Sequence, residues 1–424
     1  LHSTSRRQRQ MCIRDRIHIF MKLKSYFLLS IVVGMAFACS SDENVPEVEV
    51  FTPDATLSLA AVADGKSLTK AGEGEKENID QEDAIKSLHV MVFYAGGNLQ
   101  VDKVVAATNR VEDLDVQSGA VKILVLANAG TQENQFDTLE KALAYQRALD
   151  NENENNGYSM SSRLIEATLD EGMHNIFGNI KDFPGHMPNV SKEGNDIKLT
   201  RHIAQINLKS VSIKSDNGKA SFVIDSVFVA NVKGYSLMAA NSTEEWGEVE
   251  SKKAPEGNSL WWYGQYENEY WNGEYKTIED GLLKADLLGF NADKRKVTSS
   301  SPWKPETGQL ACGKSFIVYE NMVDAVEPGQ RTLLVLKGTY ADGNGRVGAN
   351  RFYTIPVNAM GTMTDAEGGT PDHSYVKRNY RYNISLTIKS SGSDRPYDPA
   401  SEACMDVAVT VADWDVIEQN EDLD

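Results

Sequence analysis

Cys39 is the residue whose surroundings most clearly predict a chemical modification. An apolar run, Tyr26–Ala38, precedes it and follows a short positive region at Lys22 and Lys24. The run has the length of a signal-peptide core, whereas a bilayer span needs about 20 apolar residues. The letters AFACSS around the cysteine match a lipoprotein cleavage box, although alanine occupies the position where leucine is usual. The pattern predicts lipidation of Cys39, and an ordinary secretory signal with an incidental cysteine is the alternative.

Residue types that often perform catalysis form no recognisable constellation after Cys39. The five histidines there are scattered without zinc-type spacing, and the chain has neither a glycine-rich phosphate loop nor a nucleophile elbow. The acidic segment Asp150–Gly157 lacks the ligand spacing of a calcium site, which favours a solvated loop. We therefore predict no enzymatic activity, no metal and no cofactor.

Charge and cysteine content limit the partners and the covalent chemistry. The chain carries 61 acidic and 43 basic residues, a formal net charge of −18. Nucleic-acid binding requires basic patches that neutralise phosphates, so we predict no nucleic-acid partner. Cys312 and Cys404 are the two cysteines after Cys39, and both a disulfide and two free thiols fit the sequence.

The segment Trp261–Tyr275 concentrates tryptophan and tyrosine. Exposed aromatic rings could stack on sugars or on a partner surface. Large aromatic side chains usually bury most of their area, so packing within the protein is the favoured interpretation.

Short segments rich in valine, isoleucine, phenylalanine and tyrosine recur along the chain and are bounded by glycine, asparagine and aspartate. Period-two alternation between such boundaries predicts strands, and many short strands with few helices predict an all-β fold of sandwiches. The predicted strands are Ala55–Val62, Ile85–Tyr94, Val121–Asn128, Leu199–Ile213, Ser221–Val232, Thr332–Tyr340, Arg351–Val357 and Tyr380–Lys389.

One segment, Thr138–Leu149, has helical periodicity, with Leu139, Ala142, Leu143 and Leu149 on one face. Asp137 precedes it in the position of a helix cap. The sequence therefore predicts a helix over 138–149.

The chain ends in a second segment with clear alternation. Met405, Val407, Val409 and Val411 face one way, and Trp414 follows them. A loop rich in Ser, Gly, Asp and Pro precedes this segment. A strand on such a tether could fold back as an edge strand or add to the sheet of another molecule.

Several of these stretches, in this order, resemble the fimbrillin (type V pilin) family of Bacteroidetes and, within it, the structural subunit of the short fimbriae. The resemblance runs over nearly the whole chain from Cys39 onward. It rests on Thr69–Gly72, Ile85–Phe93, Val121–Asn128, Arg201–Ala204, Lys377–Ile388 and Val407–Trp414.

The resemblance implies a fold and a mechanism. Family members consist of two transthyretin-like Greek-key β-sandwiches. A lipidated precursor reaches the outer membrane, where a trypsin-like protease cuts after a basic residue and removes the first strand. The emptied groove then accepts the C-terminal strand of a neighbouring subunit. The family's cut follows arginine, whereas Lys70, followed by Ala71, occupies the matching position here. Either the protease accepts lysine or the chain is not processed at this position.

Applied to this chain, the resemblance gives Leu57 and Leu59 to the displaced strand and Met405, Val407, Val409, Val411 and Trp414 to the donor strand. The residues themselves predict a non-native leader 1–20, where five arginines show no fold pattern, and a signal peptide 21–38. With the resemblance, the expected layout continues with a tether and removable strand 39–70, sandwich domains 71–214 and 215–400, and a donor region 401–424.

The resemblance implies a surface fimbria as the destination and other copies of the chain, in a head-to-tail polymer, as the main partners. Accessory and anchor subunits, outer-membrane lipid held through Cys39 and a host protein or glycan receptor are further expected partners. A fimbrial anchor or tip subunit is the second interpretation. A surface glycan-binding lipoprotein that uses Trp261–Tyr275 is the third.

Overall fold

A computed structural model gives the fold, and the described residues after Val50 belong to one compact unit. The structure describes residues 51–64, 84–178, 183, 190–193, 196–239, 261–263, 284–306, 315–322, 331–359, 363–365, 369, 373–396 and 405–413. None of the helices in this part of the chain has the length and apolarity needed to cross a membrane.

The first half of the described chain contains eleven strands and one α-helix. They are β1 (Ala55–Ala63), β2 (Ser87–Tyr94), β3 (Leu99–Ala106), β4 (Arg110–Val116), β5 (Gly119–Ala127), α1 (Leu139–Leu143), β6 (Gln146–Ala148), β7 (Met160–Ser161), β8 (Ile165–Leu169), β9 (His174–Phe177), β10 (Val190–Glu193) and β11 (Ile197–Arg201). Two short 3₁₀ turns, Leu149–Asn151 and Glu154–Asn156, follow β6.

The second half is composed of strands and one 3₁₀ turn, Ala292–Arg295. The strands are β12 (Ile203–Ile213), β13 (Ser221–Ala230), β14 (Val232–Lys233), β15 (Tyr235–Leu237), β16 (Trp261–Tyr263), β17 (Lys284–Asp286), β18 (Lys296–Thr298), β19 (Ser315–Tyr319), β20 (Leu333–Ala341), β21 (Val347–Pro356), β22 (Met363–Asp365), β23 (Tyr380–Ile388) and β24 (Met405–Asp413). The predicted all-β class is confirmed.

The strands form three large sheets. The first has the order β10-β9-β1-β11-β7-β5-β2-β3, with β4 paired to β1 and β8 paired to β5. The second has the order β19-β12-β23-β24-β22, and the third has the order β17-β13-β20-β21 with β18 on β13. Two small ribbons, β14-β16 and β15-β6, complete the pairing among the described strands.

Most of the apolar side chains of strands β1 to β11 form one large core cluster that ends at Leu199. Strand β2 shows why a continuous apolar run occurs here. Val90 and Val92 enter this cluster, while Met91 and Phe93 point to the opposite face and pack under α1. A strand that is covered on both faces needs apolar residues at successive positions.

A second large cluster contains Leu149, Tyr158 and apolar side chains from Ile203 to Val409. Strand β23 shows the alternation expected when only one face is buried, because its cluster-facing residues alternate with partly exposed polar ones. Those polar residues pair across the sheet with β12: Asn383 with Asn207 at 3.0 Å and Ser385 with Ser210 at 3.2 Å. Such cross-strand pairs stabilise the outer face.

The predicted helix over 138–149 is wrong beyond its first turn. Helix α1 ends at Leu143, and residues 146–148 form β6, which pairs with β15. Thr138, and not Asp137, caps the helix, while Asp137 forms an ion pair with Lys141 at 2.7 Å. A helix of this length has little intrinsic stability, so tertiary strand pairing decides the conformation of the residues after it.

Two further sequence predictions need correction. The predicted strand Leu199–Ile213 is two strands, because the chain passes from the first sheet to the second at His202. The segment Asp150–Gly157 is not simply a solvated loop. Glu152 within it is 1% exposed and accepts hydrogen bonds from Arg147 Nε at 3.0 Å and Tyr319 Oη at 2.9 Å.

Candidate functional site

Strand β1, which contains the residues predicted to be displaced, is an interior strand. It runs antiparallel to β4, with Ala55 opposite Val116, and parallel to β9, with Thr56 opposite His174. Its last residues run parallel to β11, with Ala63 opposite Leu199. Both edges of β1 are therefore hydrogen-bonded, and removing it would uncover the edges of β4, β9 and β11.

The inner face of β1 forms part of the first core cluster. Leu57 and Leu59 have no exposed surface, and Ala55 and Ala61 lie beside them in the same cluster. Full burial of a leucine side chain stabilises a fold by about 1.5–3 kcal/mol. The two predicted residues thus hold β1 in the core.

The outer face of β1 is also covered. The imidazole of His174 lies between two hydroxyl groups, with Nδ1 2.6 Å from Thr56 Oγ1 and Nε2 2.9 Å from Ser58 Oγ. Ser58 Oγ also accepts a hydrogen bond from the backbone N–H of Asp113 at 3.0 Å, where β4 has a bulge. Ala60 packs beside Ile176 in a small apolar cluster.

The two ends of β1 are fixed by hydrogen bonds. Before the strand, the carboxylate of Asp54 accepts from the N–H of Ser118 at 2.6 Å and from its hydroxyl at 2.9 Å. After the strand, the N–H of Asp64 donates to Leu199 O at 2.7 Å. The predicted processing position, Lys70 and Ala71, lies outside the described residues, as does Cys39.

Strand β24, which contains the predicted donor residues, lies inside its own chain's sheet. It pairs antiparallel with β23 over nine residues, from Tyr380 opposite Asp413 to Ile388 opposite Met405, and parallel with β22. Met405 and Val409 are buried in the second core cluster, and Val407 is partly buried against it. The fold-back alternative thus describes the observed position, but with β24 in the interior of the sheet instead of at its edge.

Other predicted residues are only partly covered by the structure. Trp414, Cys312 and Cys404 lie outside the described residues, and of Val411 only the backbone is described. Within Trp261–Tyr275, the described residues are those of β16, whose backbone pairs with β14. Across the described ranges, no group of three or more His, Cys, Asp or Glu side chains is placed to bind a metal ion.

Comparisons with known proteins match this geometry at the level of sequence and fold. The family described as "Major fimbrial subunit protein (FimA)" matches residues 55–201, which run from the first residue of β1 to the last residue of β11. "Major fimbrium subunit FimA type-2" of Porphyromonas gingivalis is 25% identical over 425 residues, covering 94% of this chain and 99% of the relative. Over nearly its whole length the chain is similar to major fimbrial subunits, which supports a fimbrial subunit at the cell surface.

Solved structures support the fold of this chain. A fimbrilin of Porphyromonas gingivalis superposes with a TM-score of 0.57 at 19% identity, covering 87% of this chain and 100% of that chain. A candidate cell adhesion protein of Parabacteroides distasonis gives a TM-score of 0.57 at 24% identity, with coverage of 86% and 99%. At these identities the likeness concerns the fold alone. The narrower resemblance to the short-fimbria subunit stays a prediction.

The junction between the two core clusters contains buried charged groups that the sequence did not reveal as a set. Arg378 Nε contacts Glu320 Oε2 at 2.8 Å, and Arg378 Nη1 lies 2.8 Å from His202 Nδ1. Complete burial, followed by the positive charges of Arg378 and Arg147, lowers the pKa of His202 well below its ordinary value. The His202 ring is therefore neutral near pH 7 and accepts at Nδ1 from Arg378.

His174 and Arg201 also belong to the strand site, and the sequence does not point to them. His174 is one of five scattered histidines, and Arg201 lies in a stretch that carries the family resemblance. Neither position has a local pattern that shows its partners, which lie 118 residues away at Thr56 and 137 residues away at Asp64. The β1–β9 pairing is needed to find the first contact, and the β1–β11 pairing is needed to find the second.

Proposed function

We propose that this chain is a fimbrial shaft subunit that polymerises by exchange of its first strand for a strand of a neighbouring subunit. The observation that carries the proposal is the position of β1. It is paired on both edges and buried on both faces, and it lies immediately before the segment that contains Lys66 and Lys70. Its loss would leave a groove of strand length with unpaired backbone groups, which another strand could satisfy.

The proposed pathway begins with export as a lipoprotein acylated at Cys39 and anchored in the outer membrane. A trypsin-like protease cuts between Lys70 and Ala71, which separates β1 from the rest of the chain. A strand supplied head to tail makes a heterologous contact, and such contacts generate open filaments. Because β1 is part of the core, cleavage alone leaves it bound, and filament growth requires its displacement.

The donor segment is Met405–Val411 with Trp414 in this proposal, and the structure adds a condition. Donation requires β24 to leave its nine-residue ladder with β23 and its place in the second cluster. A charged substitution at Val409 is therefore a poor test of donation, because that side chain is 1% exposed in its own subunit and the change would destabilise the fold itself. Val407, partly buried, is the better position to probe.

The domain layout remains part of the proposal, with one revision. The sequence predicts a boundary between residues 214 and 215, but β12 pairs with β19 and β23 and its apolar side chains lie in the second cluster. The first cluster ends at Leu199. We therefore propose that the two sandwich domains meet near His202.

Limited trypsin digestion of the chain truncated before Cys39 tests the shaft role, with intact mass and electron microscopy before and after. We expect loss of the segment that ends at Lys70, followed by filaments. With Lys66 and Lys76 changed to Gln in both proteins, so that trypsin has no other lysine in this segment, Lys70→Gln should remain uncut and unassembled, whereas the matched protein that keeps Lys70 should be cut and should assemble. Cutting without filaments would favour an accessory subunit.

A fimbrial anchor is the second candidate, since a strand held as firmly as β1 also suits a subunit that retains it. An anchor resists the cut at Lys70 and keeps its lipid at Cys39. Retention of β1 in protein extracted from the bacterial outer membrane, as read by intact mass, would support the anchor and oppose the shaft role.

A further inference from the structure

Arg201 links the end of β1 to the sheet that contains β24. It is the last residue of β11 and has no exposed surface. Its Nη1 donates to the backbone carbonyl of Asp64, just after β1, at 3.2 Å and to Asn379 Oδ1, just before β23, at 2.9 Å. A buried guanidinium is costly unless it is hydrogen-bonded, so these contacts fix its position.

Asn379 controls where β23 enters its sheet. Its backbone has a φ of +61°, a left-handed conformation that asparagine tolerates better than most residues. Its N–H donates to Ile203 O at 2.8 Å, at the start of β12. The next residue, Tyr380, is opposite Asp413 in the ladder between β23 and β24. The contact between Arg201 and Asn379 therefore lies at the end of the ladder that holds the C-terminal strand.

The residues next to Arg201 and Asn379 reinforce the same turn. His202 and Arg378 are in contact at 2.8 Å, and Glu320 accepts from the N–H of Arg378 at 3.2 Å and from its Nε at 2.8 Å. These contacts connect β12, β19 and β23 to one another. The hydrogen bond from Arg201 to Asp64 O extends this group of contacts to the end of β1.

We infer that Arg201 is a positioning residue that couples the attachment of β1 to the stability of β24. With β1 in place, the Asp64 carbonyl holds the guanidinium, which holds Asn379 and the end of the β23–β24 ladder. When β1 leaves, Arg201 loses that acceptor and the ladder end loosens. The inference rests on the proposed function only for its use in assembly, where loss of the first strand would favour release of the last.

Amide hydrogen exchange of the intact chain tests the coupling. A substitution in β1 is used to detach this strand more often. Leu59→Ala raises the population of molecules in which β1 is detached. We expect it to accelerate exchange of the amides in Met405–Asp413 by at least about 5-fold, the lower range of coupled sites. In an Arg201→Met background the same change should accelerate those amides by less than about 2-fold, because the link is absent.

Three further variants separate coupling from general destabilisation. Arg331→Met removes another buried arginine, one that donates to Asn358 O and Ser374 O, and should leave the full response to Leu59→Ala. Asn379→Gly tolerates the positive φ but removes the acceptor, so it should abolish the response as Arg201→Met does. Arg201→Lys keeps a donor and should restore part of it.

An equal acceleration by Leu59→Ala in the unmodified and Arg201→Met backgrounds would overturn the inference, as would its loss in the Arg331→Met control. Neither outcome depends on filaments. Failure of the trypsin assay would remove the shaft role and leave the coupling measurement unaffected.

Discussion

The first and last described strands, β1 and β24, look alike in sequence and differ in structure. Strands β1 and β24 each contain nine residues with alternating apolar side chains. On the outer face of β1, Ser58 and Ala60 are buried, whereas Asp406 and Ala408 on the outer face of β24 are exposed. Alternation identifies the face that enters a core, but it does not indicate whether the opposite face is also covered.

The pairing of the two strands differs as well. β1 is held on its two edges by β4, β9 and β11, partly through parallel pairs that join distant parts of the chain. β24 depends mainly on one antiparallel ladder with β23 and adds a three-residue pairing with β22. Removing β1 therefore uncovers more core and more strand edges than releasing β24. In strand exchange, the vacated groove would supply the larger driving force.

Matched truncations on the inner faces test this difference and carry the largest expected effect. Leu59→Ala should lower the free energy of unfolding by about 2–5 kcal/mol, the range for a fully buried leucine. Val407→Ala should lower it by about 1 kcal/mol, because that side chain is smaller and only partly buried. Urea unfolding of both variants gives the measurement.

A larger decrease in the free energy of unfolding for Val407→Ala than for Leu59→Ala would reverse the comparison. It would mean that β24, and not β1, is the more deeply anchored strand. Leu386→Ala on β23, a fully buried position in the second cluster, serves as a control that this cluster responds normally to truncation.

The sequence predicts where strands lie better than it predicts which segments surround them. All eight segments predicted as strands contain strands, because their alternation or apolar runs are local properties. The helix over 138–149 failed because β15, about 90 residues later, pairs with residues 146–148. The break at His202 was missed because both of its flanking segments are apolar, and only the change of sheet separates them.

The same limit applies to the candidate site, where burial follows from local alternation but polar contacts do not. Leu57, Leu59, Met405 and Val409 are buried as their alternation suggested. The polar contacts were not predictable, since His174, Arg201 and Asn379 obtain their partners from pairings over more than a hundred residues. The position of β24 in its own sheet was likewise undecided by sequence, because a strand that folds back and one that is donated need the same alternation.

The buried side chain of His202, at the junction between the two core clusters, should make the free energy of unfolding depend on pH. This effect is of intermediate size. Burial lowers its pKa in the folded protein, whereas the unfolded chain titrates near 6.5. Below that pH the unfolded state binds more protons, so stability falls as pH decreases, by at most about 1.4 kcal/mol per pH unit. His202→Gln keeps an acceptor for Arg378 and does not titrate.

Urea unfolding at several pH values between about 5 and 6.5 should therefore show a shallower loss of stability in His202→Gln than in the unmodified chain. His89, whose pKa is also lowered by burial, is present in both proteins and cancels in the difference. Parallel curves would show that His202 is protonated in the fold and that the junction tolerates its charge.

The smallest expected effect concerns the exposed outer face of β24. Asp406 forms an ion pair with Lys389 at 2.5 Å, and the two side chains are 65% and 42% exposed. Exposed pairs of this kind contribute about 0–1 kcal/mol and weaken with salt. Asp406→Ala should therefore change the free energy of unfolding by less than about 1 kcal/mol, and a cycle with Lys389→Met should give a coupling that disappears in high salt. A loss above about 2 kcal/mol would show that the outer face of β24 is covered as β1 is, and the contrast between the two strands would no longer hold.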